Sequence, residues 1–271
     1  MENDPLLDRA LQGDINAFQT LFAVFQPSLK SYLYRLLTNR DDVDDVTHDT
    51  FIKAFDKRAT FQRHASLKTW VFKIATNLAY DHLRKLNRWP VDAQDQGERL
   101  AKSSPEIIQT FRHIHRTAAS GNYEMKEHID FCFTCISKTL VIEKQVALIL
   151  KDIYDFPVKE IASILDKTEG VVKHLLVESR STMSEIFEHR CALINKEGIC
   201  HQCSEMNGIY NPKHDQHQQR MALMPDHTDV ADREALYTLR AALVKAIDPL
   251  HSSGTDLQDA LMQCTRRAIG E

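Results

Sequence analysis

The chain has 271 residues, enough for two small domains and an extension, with a formal net charge of −4 and only eight Gly and eight Pro. This composition fits a soluble, mostly helical protein, and the overall charge does not advertise nucleic-acid binding. No window reaches the apolar length of a membrane span, and the acidic start MENDPLLDRA lacks the apolar core of a secretory signal, so the expectation is a cytoplasmic protein without membrane insertion.

Residues 4–38 read as helix. Phe18, Leu21, Phe22, Phe25, Leu29, Leu33 and Leu36 recur at helical spacing, with Pro27 marking a break or a new helical start. A second helix spans 41–57, with Val43, Val46, Thr50 and Ala54 along one stripe. Residues 61–66 are polar and basic and read as a loop in which Ser66 can cap the next helix. Leu67, Trp70, Val71, Ile74, Ala75 and Leu78 then form an amphipathic stripe running to about Lys85, with Trp70 as a core anchor. Trp89-Pro90 closes a helical domain over 1–90.

Residues 91–105 are polar and non-periodic and read as linker, within a connecting stretch of 91–123 that includes a helix over 106–118. A second helical domain covers 124–188. After it, 189–271 reads as a Cys-rich knuckle and an extension with two amphipathic helices, 230–247 and 255–268. The expected fold is all-α: two small helical domains, a linker, the knuckle and the helical extension.

The stretch Val158 to Arg180 has the pattern of a helix-turn-helix. Ile161, Ala162 and Leu165 line one face of a first helix. The break falls at Asp166-Lys167, and Thr168 can cap a second helix with Val171, Val172, Leu175 and Leu176 inward. Such a unit holds a helix against a DNA major groove.

Charge is segregated within the first domain. Residues 41–50 hold five Asp and no Lys or Arg, whereas 51–90 hold nine Lys or Arg against two Asp. Acids at a helix start complement its dipole, and they also suit a basic partner surface. Arg63, Lys68, Lys73, Asn77, Arg84 and Lys85 lie largely off the apolar stripe. Lys and Arg neutralise phosphates, and Asn and Arg can also reach base edges.

The runs DVDDVTHDTFIKAF and FQRHASLKTWVFKIATNLAYDHLRK resemble region two of a bacterial sigma factor of the extracytoplasmic-function type, a branch of the sigma-70 family. The matching residues are Asp49-Thr50-Phe51, then Ser66-Leu67-Lys68-Thr69-Trp70, then Ile74, Ala75, Asn77, Ala79, Asp81, Leu83 and Arg84. The helix-turn-helix at 158–180 is similar to the family's region four. The resemblance implies a protein that binds core RNA polymerase and directs promoter recognition and transcription initiation. Asp42, Asp44, Asp45, Asp49 and Thr50 would dock on the beta-prime subunit, and the beta subunit would also be a partner. Arg63, Lys68, Thr69, Lys73, Asn77, Arg84 and Lys85 would hold the melted promoter strand. Thr168, Lys173, His174 and Arg180 would meet the upstream major groove, and an anti-sigma factor is a possible partner. No catalytic residue is implied. No nucleophile–base pairing is evident, and neither GxSxG nor GxxxxGK[ST] occurs, so an enzyme is not expected.

The second helix departs from the family in lacking surplus positive charge. Between Thr168 and Met183, Lys173 and Arg180 face Glu169 and Glu178. Either upstream binding is weak or this surface has become a protein contact.

Six Cys include two C-x-x-C pairs. Cys200 and Cys203, with Cys191 upstream, suit tetrahedral zinc, the fourth ligand lying open among His201, His189 and the earlier pair Cys132 and Cys135. The earlier pair falls on an expected helix, where core packing is the competing reading. A thiol switch is a third option. The alternative function is thus a metal- or redox-responsive transcription regulator with sigma-like architecture and weakened DNA contact.

Overall fold

Short polar side chains open the N-terminal helices by accepting hydrogen bonds from otherwise orphaned amides. Asp4 accepts from the Leu6 and Leu7 amides to start α1 (Pro5–Leu11), and Asp14 accepts from those of Asn16 and Ala17 to start α2 (Ile15–Leu37). Asn39 does the same for α3 (Arg40–Asp56), and Ser66 for α4 (Leu67–Leu83). A computed structural model describes residues 4–84, 88–117, 125–190, 230–252 and 255–271. Among them the elements are all helical.

Pro27 does not break the chain. α2 runs through it as a 23-residue helix. Pro27 is exposed. Ala23, whose carbonyl loses its amide partner, is exposed on the same side, where the carbonyl is open to solvent rather than buried.

Residues 91–105, read as linker, carry α5 (Ala93–Ser103), and the helix expected over 106–118 is α6 (Pro105–Thr117). α5 is polar overall but buries Ala93, Gln94, Gly97 and Ala101. Its packing face is built from small residues at a spacing of four, which large-residue periodicity does not reveal. α7 (Met125–Ser137), α8 (Ile142–Asp152), α9 (Val158–Leu165) and α10 (Glu169–Arg190) come next. The extension supplies α11 (Val230–Lys245) and α12 (Thr255–Ala268), close to the expected spans.

One hydrophobic core crosses both expected domains. It joins Phe18, Tyr32, Leu36 and Phe72 to Phe133, Leu148, Phe156 and Leu176, and reaches Tyr237 and Val244 in α11. Phe72 stands between the two halves, its ring centroid 5.3 Å from Tyr32 and 4.9 Å from Phe156. A second, smaller core seats α12 through Leu257, Leu261 and Met262 on Trp89, Ala101, Phe111 and Phe131.

Candidate nucleic-acid and partner interface

α3 turns Val43, Val46, Thr47, Thr50 and Ala54 inward. The remaining arc exposes Asp41, Asp44, Asp45, His48 and Asp49. Asp44 pairs with Lys30 at 2.5 Å while staying largely in solvent. Asp42 is half-buried, 3.4 Å from His82 and 3.6 Å from Arg266. Thr50 is fully buried and donates to the Val46 carbonyl at 2.6 Å. The expectation that it docks a partner is therefore corrected. It lies four residues after Val46 and seven after Val43, on the stripe that faces the core.

α4 buries Val71, Phe72, Ala75 and Ala79. Its candidate contacts do not all face solvent. Thr69 is buried, and its hydroxyl donates to Glu160 of α9 at 2.6 Å. Lys73 reaches Asp166 at 2.5 Å. The Lys68 ammonium stands 4.8 Å from the Phe156 ring centroid and 5.6 Å from that of Phe72. Arg63, in left-handed backbone conformation at φ 58°, pairs with Asp8. Asn77 and Arg84 are exposed, Arg84 lying 3.3 Å from Asp81. Lys85 lies outside the described residues. Trp70 is half-buried and tilted against Phe61 at 5.3 Å.

The helix-turn-helix is formed by α9 and α10. Asp166 takes the left-handed conformation at φ 53°, and the Lys167 amide returns to the Ala162 carbonyl at 3.0 Å. Thr168 accepts the Val171 amide at 3.3 Å, the expected cap. Val172, Leu175, Leu176, Ser179, Met183 and Phe187 face inward. Val171, expected inside, is 43% exposed, because the buried arc begins one residue later. On the outer side, Lys173 is exposed and His174 lies 3.2 Å from Glu178, which also pairs with Lys144. Arg180 makes a fork to Asp152 at 3.0 and 2.5 Å. The outward face of α10 is thus nearly neutral and includes exposed Val171 and Val177.

The sigma-70 region 2 family matches residues 21–89, the stretch containing most of α2 and all of α3 and α4. A curated ECF RNA polymerase sigma-E factor of Haemophilus influenzae is 24% identical over 66% of this chain and 92% of its own length. An RNA polymerase sigma-H factor of Pseudomonas aeruginosa is 21% identical over 69% of this chain and 94% of its own. Both alignments span far more than region 2. The chain thus carries a sigma-70 region 2 and is similar to extracytoplasmic-function sigma factors over about two thirds of its length. A solved Bartonella quintana sigma factor, RpoE in complex with the anti-sigma factor NepR, covers 63% of this chain and 96% of that one at 21% identity, with a TM-score of 0.44.

In this chain, sequence reasoning missed the partners that close α4, namely Glu160 of α9, Asp166 in the turn after it and Phe156 just before it. It also missed Arg35, fully buried at the end of α2. Arg35 pairs with Asp130 and donates to the Val244 and Ile247 carbonyls at 3.1 and 3.0 Å. Cys132 and Cys135 are buried on α7, and burial pushes the Cys135 thiol well above its ordinary value. Both side chains pack in the apolar interior, Cys132 in the larger core and Cys135 in the smaller, which favours the packing reading for this pair. No group of three metal-ligating side chains occurs among the described residues. Cys191, Cys200, Cys203 and His201 lie outside the described residues, and no described helix is long and apolar enough to cross a membrane.

Proposed function

We propose that this chain acts as an extracytoplasmic-function sigma factor, docking on core RNA polymerase through the acidic arc of α3 and holding separated promoter DNA along α4. The supporting observation is the adjacency, inside the matched stretch 21–89, of an exposed carboxylate arc and a cation-bearing helix. Asp44, Asp45 and Asp49 form the open part of the arc, and Asp42 borders it. Lys68, Lys73, Asn77 and Arg84 supply charge and hydrogen-bonding groups for a strand of phosphates and unstacked bases. α10 brings little charge to a major groove, so its upstream contact rests on shape and apolar contact more than on counterion release. The polymerase performs the chemistry, and the sigma factor supplies binding energy for opened DNA.

The test is Asp45→Lys with Asp49→Lys in the full chain, assayed by co-purification with core polymerase and by promoter-directed transcription. Core affinity is expected to fall at least about tenfold, the scale at which like charges face each other across an interface. Undiminished co-purification with an unchanged melting temperature would refute the docking assignment.

A thiophilic metal at Cys191, Cys200 and Cys203 is a separate proposal resting on ligand type and spacing. Metal analysis of the purified chain should find zinc that is lost in Cys200→Ser and Cys203→Ser. A metal-free native protein would dismiss it.

A further inference from the structure

α9 lies across the strand-binding face of α4. The Thr69 hydroxyl is taken by Glu160 at 2.6 Å, the Lys73 ammonium by Asp166 at 2.5 Å, and Lys68 is held over Phe156. Three of the groups proposed to meet DNA are thereby satisfied from within the chain. Opening this face separates α4 from the helix-turn-helix unit.

The extension bridges the parts that would separate. Arg35 of α2 is bound by Asp130 of α7 and by two carbonyls at the end of α11. Asp130 in turn accepts from Gln258 of α12 at 2.5 Å. α12 grips the corner between α2 and α3. Arg266 donates to the Leu37 carbonyl at 2.9 Å and lies 3.6 Å from Asp42, Gln263 donates to the Thr38 carbonyl at 3.2 Å, and Arg40 reaches Asp256 at 3.2 Å. On the other side α11 holds the second half, with Tyr237 donating to Asp152 at 2.7 Å and Lys245 pairing with Asp155. α12 also sits tightly on α5. A Cβ at Gly97 would stand 2.8 Å from the Thr265 hydroxyl and 3.2 Å from its Cα.

We propose that residues 230–271 are a built-in inhibitory strap that holds α9 over the DNA face of α4 until a partner takes the corner of α3. This rests on the proposed docking and DNA contacts of α3 and α4. The strap's outer contacts are partly exposed ion pairs, which bind weakly and are readily exchanged for an intermolecular partner. Asp42 belongs to both surfaces. A basic polymerase surface that claims it displaces Arg266 and loosens α12, so docking comes before DNA capture.

Zero-length carbodiimide cross-linking of the full chain reads this directly, because it joins only amines and carboxylates already in contact. Lys73–Asp166 reports α9 on α4, Lys245–Asp155 reports α11 on the second half, and Lys144–Glu178, 3.1 Å apart within the second half, is the internal control. All three links are expected in the free chain. Adding core polymerase should abolish the first two and leave the third. Arg266→Glu and Gly97→Val should each reduce the first link and raise binding of a random-sequence single-stranded DNA pool about tenfold, the change given by about 1.4 kcal/mol of lost closure. Absence of the Lys73–Asp166 link in the free chain, or its persistence in a polymerase complex, overturns the proposal. So does a variant that keeps the control link and gains no DNA binding. If a variant loses the control link, the polymerase arm with the native chain decides. A chain that binds no polymerase at all refutes the docking assignment instead.

Discussion

Two buried cations on successive sides of one corner show how much of this protein's energetics sits in single residues. Arg35 falls in the run Ser31–Leu37, where every residue is buried. A helix with one apolar stripe would send an arginine to solvent, and that rule fails here because neighbours surround the end of α2 on all sides. The sequence marks the position only by a lone charge in an otherwise enclosed turn. Its partners, two carbonyls and an aspartate distant along the chain, have no local signature. Lys138, at the end of α7, is the second. Its ammonium donates to the Leu36 carbonyl at 2.8 Å and stands 4.9 Å from the Trp89 ring centroid. Burial pushes its pKa down to about 8 from 10.5, against an opposing pull from Glu271. The folded chain therefore binds fewer protons than the unfolded chain between those two values, and stability contributed through Lys138 rises with pH across that window. Below about 8 both states hold the proton and the folded state bears the full cost of burying the charge. Relative to Lys138→Met, the native protein should gain up to about 1.4 kcal/mol per pH unit from pH 8 to 10 in urea unfolding. A difference that stays flat with pH would remove this role for burial.

The elements were legible in proportion to the size of the side chains they bury. α3 follows from Val43, Val46 and Ala54, and α4 from the stripe Leu67, Trp70, Val71, Ile74, Ala75 and Leu78, of which Val71 and Ala75 are fully buried while Phe72 joins them from outside that stripe; the turn at Asp166 follows from an apolar pattern that stops and restarts. α5 reads as linker because Ala93, Gly97 and Ala101 carry almost no apolar surface of their own. What they provide is closeness, letting α12 approach until a single added carbon would collide with Thr265. The candidate site divides similarly. The open carboxylates of α3 could be placed from helical periodicity plus family resemblance. Thr50 and Thr69 could not be taken as surface groups on resemblance alone, since Thr50 is on the core stripe and Thr69 is covered by a helix far along the chain. Long-range pairing such as Thr69 with Glu160 leaves no trace in local pattern, so the sequence can name a cationic helix without saying that the same chain covers it. In α10, by contrast, the scarcity of positive charge was plain from composition, and the fork between Arg180 and Asp152 lowers the outward charge further.

At the level of the whole molecule, shared packing replaces the independence that two domains and a linker suggest. Domains with separate cores unfold separately and move freely unless their interface is large and apolar. Here Tyr32, Phe72 and Phe156 continue from one half into the other, and Arg35 with Asp130 ties that seam to both extension helices. A closed state of this kind has to be firm enough to keep α4 covered and weak enough to be opened by a partner. Its mixture of a buried aromatic seam, a buried hub and exposed ion pairs fits that requirement, because the exposed pairs can be exchanged while the seam restores closure afterwards. Coupling through one hub has a calorimetric consequence. The native chain should melt in a single transition whose calorimetric and van't Hoff enthalpies agree, with α4 and α10 losing hydrogen-exchange protection together. Arg35→Met leaves Asp130 buried without its counter-charge, at a cost of about 3–5 kcal/mol concentrated where the halves meet. That variant should show two separated transitions, with α4 and α10 exchanging at different free energies. Two transitions already present in the native protein, or one undivided transition in Arg35→Met, would mean that the halves are not coupled through this hub.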